Sequence, residues 1–226
     1  MIHSSALLTI AGLWLFMALC AACGPATGAR GQERIALPTP NTTSDVSLEQ
    51  ALLSRRSVRE YGTRALTLEE IGQLAWAAQG ITSPEGFRTA PSAGALYPLE
   101  LYVVLPQGVY HYRPAAHELA RVKAGDFRDD LGDAAVRQRP VYEAPAVFVI
   151  AAVYERTAVK YGERAERYVH LEAGHAAQNL LLQAAALDLG AVPIGAFYDE
   201  RVQAALGLAG DQAPLYLIPV GPPRHS

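Results

Sequence analysis

The chain has 226 residues, 50% apolar and 18% charged, with a formal net charge of −3. That composition supports one domain of ordinary size with a real core. It argues against nucleic acid as a partner, because no basic stripe with interleaved aromatics and no zinc-finger or helix-turn-helix spacing occurs.

The N-terminal segment differs from the rest. Residues 4–29 carry no charge, and residues 6–22 are nearly all apolar, which reads as the hydrophobic stretch of a signal peptide. Cys23, preceded by two alanines, resembles the end of a bacterial lipoprotein signal, although Cys20 stands where such signals usually carry Leu. The expected organisation is a signal peptide over 1–23, a flexible tether over 24–46 and a folded domain over 47–226. The protein would then be exported to a bacterial cell envelope, with membrane attachment only through an N-terminal signal or a lipid on Cys23. Both cysteines lie in this leader, so the body has no disulfide, no thiolate nucleophile and no cysteine metal site.

Beyond the tether, Ser47-Leu48-Glu49-Gln50 is a capping box that opens a helix to about Ser54. Thr67-Leu68-Glu69-Glu70 is a second, starting a helix that Gly80 closes. A loop to Tyr97 leads into a strand over 99–105, and residues 108–122 read as a hairpin. Residues 126–139 are expected to be helical. The continuous apolar run 146–153, bounded by Pro145, reads as a buried strand. The longest helix is expected over 163–189, with a broad apolar surface and Gly190 as its stop. A strand over 192–197, a short helix over 199–206 capped by Asp199 and a final strand over 215–220 complete the chain. The fold class is α+β with a mostly antiparallel sheet.

Four stretches carry candidate chemistry. Arg55-Arg56-Ser57-Val58-Arg59 places three guanidinium groups and a hydroxyl within five residues, a donor set suited to a planar or phosphate-bearing anion. A solvated basic face is the plain alternative. Pro91-Ser92-Ala93-Gly94-Ala95-Leu96-Tyr97-Pro98 combines small residues, a hydroxyl and two fixing prolines, or is simply a turn before a strand. Lys160-Tyr161-Gly162 holds one of only two lysines, against 17 arginines, and could project into a cleft for proton transfer. In residues 190–197, Gly195 would let a backbone N–H face a flat ligand. Glu172-x-x-His175 resembles half of a di-iron site, but no second such pair occurs, so no metal is expected.

In this order and spacing the set resembles the nitroreductase superfamily, and more narrowly its SagB/ThcOx-type branch, which includes azoline dehydrogenases. The resemblance runs over about residues 47–223. It implies an FMN-dependent α+β fold, usually a homodimer with flavin at the interface. Arg55 and Ser57 would hold the FMN phosphate, supported by Arg56, and Arg59 would lie near the N1–O2 edge of the ring, where a cation stabilises reduced flavin. Pro91, Ser92, Ala93 and Gly94, from the other protomer, would line the ribityl and phosphate region. Gly195, followed by Ala196, would offer its N–H toward N5 or O4. Lys160 and Tyr161 match a catalytic Lys-Tyr pair of the azoline dehydrogenases. The implied function is hydride transfer between flavin N5 and a small organic substrate. The alternative is a tethered flavin- or ligand-binding envelope protein without redox turnover.

Overall fold

The computed structural model of the chain describes residues 33–224, and the expected leader with Cys20 and Cys23 lies outside them. Seven strands form one sheet: β1 (Arg34–Ala36), β2 (Leu99–Leu105), β3 (Gly108–Arg113), β4 (Glu118–Ala124), β5 (Ala146–Ala152), β6 (Gly190–Ala191) and β7 (Ala213–Gly221). Their order is β1-β4-β3-β2-β5-β7-β6, and every neighbouring pair is antiparallel. The helices are α1 (Leu48–Ser54), α2 (Leu68–Gln79), α3 (Arg128–Ala134), α4 (Arg139–Glu143), α5 (Tyr154–Tyr161), α6 (Ala165–Ala186) and α7 (Asp199–Leu206). This is the expected α+β arrangement.

Strand alternation divides the core between the two faces of the sheet. On β5, Ala146, Phe148, Ile150 and Ala152 join residues of α2 and α6, among them Leu74, Val169, Ala176 and Leu180. Val147, Val149 and Ala151 join Leu131 of α3 and Val202 and Leu206 of α7. Burial on both faces is why β5 is an unbroken apolar run. Both capping boxes form. The Ser47 hydroxyl accepts from the Gln50 N–H at 3.2 Å, and Gln50 Oε1 accepts from the Ser47 N–H at 2.8 Å. Thr67 and Glu70 make the same reciprocal pair.

Several expectations need correction. The folded part begins before residue 47, since β1 pairs with β4 through Ile35 and Leu119, and Leu37 is buried. Two apolar residues on a three-residue strand are too few to show a period. The helix expected over 126–139 is two helices, because Pro140 sits in the first turn of α4 and could not continue α3. Between them Val136 and Arg137 both take φ of +56°. The long helix is shorter than expected, and residues 154–161 form the unforeseen helix α5, which buries only Thr157 and so lacks an apolar period. Residues 192–197 are not a strand. Past β6, the Val192 N–H donates to the Pro219 carbonyl at 3.3 Å and Ile194 forms an isolated bridge to Leu217, but Pro193 has no N–H to offer a ladder. Asp199 does not cap α7: Tyr198 takes that position, and Asp199 lies in the first turn.

Candidate functional site

The Arg55–Arg59 stretch leaves the end of α1 and runs beside β6. Ser57 bridges to Ala191, and the Val58 N–H donates to the Ala191 carbonyl at 3.0 Å. A Cβ on Gly190 would fall 2.5 Å from Val58 Cγ1, so only glycine permits this approach. From below, the buried Tyr61 hydroxyl donates to the carbonyls of Val58 at 2.7 Å and Pro219 at 3.2 Å, and burial pushes that phenol's pKa up. Arg56 folds back on the carbonyls of Leu53 at 2.9 Å and Arg55 at 2.8 Å, a cation closing a helix C-terminus. Arg59 reaches the Ser57 carbonyl at 3.4 Å and is exposed. Among the described residues, the Arg55 guanidinium and the Ser57 hydroxyl have no hydrogen-bond partner. A cleft of about 270 Å³ opens beside Arg55, bordered also by Arg56, Val58 and Asp188 and floored by Leu181, Ala185, Leu189 and Gly190.

Gly195 and Ala196 are exposed on the segment after Ile194. The Ala196 carbonyl accepts from Gln138 Nε2 at 2.9 Å, which ties the segment to the turn after α3. A Cβ on Gly195 would meet nothing within 4 Å, so the chain's own packing does not demand glycine there.

The second group forms around the Pro91–Pro98 loop. Ser92 Oγ accepts from the Tyr97 N–H at 2.9 Å and closes a tight turn over Ala93–Ala95. Gly94 takes φ of +63°, and Ala95 and Tyr97 are also left-handed at +54° and +46°. Two non-glycine residues in that region mark a turn held by its surroundings. Lys160 and Tyr161, in the last turn of α5, lie directly against it. A Cβ on Gly94 would be 3.0 Å from Tyr161 Oη and 3.1 Å from Lys160 Nζ. Lys160 stands at a helix C-terminus, where a cation is favoured. Tyr161 packs edge-on against Tyr168 with centroids 4.9 Å apart. Arg156 donates to the Tyr97 carbonyl at 3.2 Å and also pairs with Glu100. Burial opposes ionisation of Glu100, yet hydrogen bonds from His111 and Arg156 outweigh it and hold the carboxyl below its usual range.

Beneath the loop lies a polar layer that sequence reasoning missed. Arg88 stacks on the Tyr97 ring at 4.6 Å and donates to Gln79 Oε1 at 2.7 Å. Glu172 is only 3% exposed, and burial pushes its carboxyl up to about 7 against the pull of the Ser92 hydroxyl and Arg88. The available signal was an acid on the buried stripe of α6, between Val169 and Ala173 and Ala176. His175 is exposed while Glu172 is buried, so the two do not face one site. Among the described residues, no three His, Cys, Asp or Glu side chains group to hold a metal.

The structure thus joins the first stretch to Gly190–Ala191 and the second to Lys160–Tyr161, but it keeps the two groups apart. Glu172 sits under Ser92, whereas Leu181 and Ala185 line the Arg55 cleft. About 9–13 residues of α6 separate them, roughly 14–20 Å along the axis at ~1.5 Å per residue.

With this geometry in place, the likenesses to known proteins become informative. The profile of the Nitroreductase family matches residues 52–222. A Methanocaldococcus jannaschii protein bearing a nitroreductase name is 46% identical over 183 residues, 78% of this chain and 91% of that one. The trifolitoxin operon protein TfxC of Rhizobium leguminosarum bv. trifolii is 27% identical over 210 residues, 83% of this chain and 58% of TfxC. A crystal structure from Ralstonia eutropha, described as a nitroreductase, superposes with a TM-score of 0.77 at 30% identity, covering 85% of this chain and 90% of that one. A match over three-quarters of the sequence, carrying the same fold, makes this chain a member of the nitroreductase family, whose enzymes are flavin-dependent oxidoreductases.

Proposed function

We propose that the protein is an FMN-dependent oxidoreductase that passes hydride between the flavin and a small organic substrate. The observation that carries this reading is the unengaged Arg55 guanidinium beside a cleft with an apolar floor, with the unengaged Ser57 hydroxyl two residues further along the chain. That donor set fits a phosphorylated ligand with an apolar body, and the open space over Gly195 fits a flat group lying on the backbone. Bound FMN supplies the two-electron chemistry. Arg55 and Ser57 hold its phosphate. The Arg56 guanidinium is committed to α1, so its support comes through the backbone and the fixed start of the loop. Arg59 would supply a cation, and Gly195 a backbone N–H, to the flavin ring.

Because one chain keeps its two groups apart, we propose a homodimer in which the Pro91–Gly94 turn of one protomer completes the Arg55–Ser57 group of the other. Mixed dimers test this. Combining an Arg55→Ala chain with a Ser92→Ala chain leaves one wholly intact site per mixed dimer. FMN binding at that site should be of wild-type strength, and its absence refutes the shared site.

Lys160 and Tyr161 border the turn and are placed to move or hold a proton at the substrate. The Lys-Tyr pair favours the azoline-dehydrogenase branch. The M. jannaschii likeness favours nitro reduction. Anaerobically reduced protein offered a quinone or a nitroarene, and oxidised protein offered an azoline peptide, separate these. Lys160→Ala should retain FMN while turnover falls about 10²-fold or more. Reduced flavin that no offered acceptor reoxidises would favour a flavin-binding protein without turnover. We further propose export through the leader with a lipid on Cys23. Mass spectrometry of the mature N-terminus checks it, and an unmodified start elsewhere refutes lipidation.

A further inference from the structure

Gln79, Thr157 and Glu172 are the polar or charged side chains buried among the described residues. Each keeps one polar atom without a partner: Gln79 Nε2, Thr157 Oγ1 and Glu172 Oε1. Such orphans are rare in native cores and ask for an explanation. A carboxylate buried with an unmatched oxygen is costly as an anion and much less so as a neutral acid. Arg88 pulls on Glu172, but its guanidinium is engaged by Gln79 and stacked on Tyr97, and no ion pair with Glu172 forms. The other charged and titratable groups around this layer are Tyr97 in the loop, Glu100 on β2 and Arg156 on α5, all within electrostatic reach of Arg88, and Lys160 and Tyr161 lie against Gly94. On α6 itself, His175 faces outward.

Ser92 links this acid to the turn. Its oxygen already accepts from the Tyr97 N–H, so its single hydrogen is free to turn toward the nearby Glu172 carboxyl. We infer that Glu172, held as the neutral acid, is a positioning residue that fixes the Ser92–Gly94 turn for its half of the cofactor site. This rests on the FMN reading above. When Glu172 ionises, the Ser92 hydrogen and the pull of Arg88 offset only part of the cost of a buried charge, and the layer must open to hydrate it. FMN affinity then falls as pH rises past neutrality.

The test compares wild type with Glu172→Gln, which keeps the shape and stays neutral. FMN dissociation constants are measured from pH 5.5 to 8.5, alongside melting profiles of the FMN-free proteins. The FMN phosphate and all other groups titrate alike in both, so the difference isolates Glu172. The expected result is a wild-type Kd that rises up to about tenfold per pH unit above neutrality, with a flatter Glu172→Gln profile. Parallel Kd profiles overturn the positioning role. Parallel melting profiles overturn the buried neutral acid, whatever FMN does. Failure of both proteins to bind FMN overturns the cofactor reading and the positioning role with it, while the melting data still report on the acid. Should Glu172→Gln not fold, Glu172→Asp retains the carboxyl but cannot reach Ser92. It should weaken FMN binding about tenfold at every pH, and unchanged binding refutes the inference.

Discussion

Two glycines near the proposed site should respond in opposite ways to the same small change. At Gly94, φ is +63°, and an added Cβ would lie 3.0 Å from Tyr161 Oη, 3.1 Å from Lys160 Nζ and 3.2 Å from Lys160 Cδ. The left-handed backbone costs an alanine about 1–2 kcal/mol. Loss of unfolded-state freedom returns about 0.4–1 kcal/mol. The contacts add a smaller cost, since the ends of Lys160 and Tyr161 can shift. Gly94→Ala should therefore destabilise by about 1–2 kcal/mol and lower the melting temperature by about 2–8 °C for a domain of this size. At Gly195 nothing lies within 4 Å of the added carbon, and φ is not left-handed. Gly195→Ala should leave the melting temperature of FMN-free protein within about 2 °C of wild type, a change of no more than ~0.5 kcal/mol. It should nonetheless weaken FMN binding, because the methyl occupies the space assigned to the ring. Differential scanning calorimetry without cofactor and a fluorescence titration with FMN measure the two effects. A Gly195→Ala protein that melts as low as Gly94→Ala, or binds FMN as wild type does, would refute the reasoning.

Other consequences concern charge and anchoring. Arg55→Gln should weaken FMN binding about tenfold or more with little change in melting, since a charge-assisted hydrogen bond is worth about 1.5–3 kcal/mol and this guanidinium makes no hydrogen bond among the described residues. Equal losses in binding and stability would instead make it structural. Tyr61→Phe strips the buried donor from the Val58 and Pro219 carbonyls and should cost about 1–3 kcal/mol in denaturant unfolding. For pH, Glu172 has a carboxyl raised from 4.5 to about 7, so the folded state holds a proton that the unfolded state has released. Stability from this group falls as pH rises from about 4.5 to 7, by at most about 3 kcal/mol, and is flat above. Glu100 has the opposite sign: its lowered pKa contributes stability above about 4.5 that is lost as pH falls through the folded value. Urea unfolding of wild type and Glu172→Gln across this range separates the two.

What was legible in the sequence was mostly local or strongly periodic. The capping boxes at Ser47 and Thr67 need only four residues, and both form. The 146–152 run signals a strand buried on both faces without knowledge of its neighbours. Helix α5 was hidden because it lies on the surface with only Thr157 inward, so hydrophobic periodicity had nothing to report. The break between α3 and α4 was written in Pro140, and the expected helix ran through it. In the candidate site, the motif residues were identifiable as types, but their grouping was not. Nothing in the spacing shows that Gly94 touches Lys160, or that Gly190 clears Val58. Glu172 was visible only as a possible ligand, because its meaning comes from Ser92 and Arg88, about 80 residues upstream and joined to it by the fold.

The most direct measurement of the central claim is the absorbance spectrum of the purified protein, with the chromophore released by denaturation identified and counted. Oxidised-flavin bands and FMN at one per protomer of a dimer are expected, either as isolated or after incubation with FMN. A colourless protein that takes up no added FMN would contradict it.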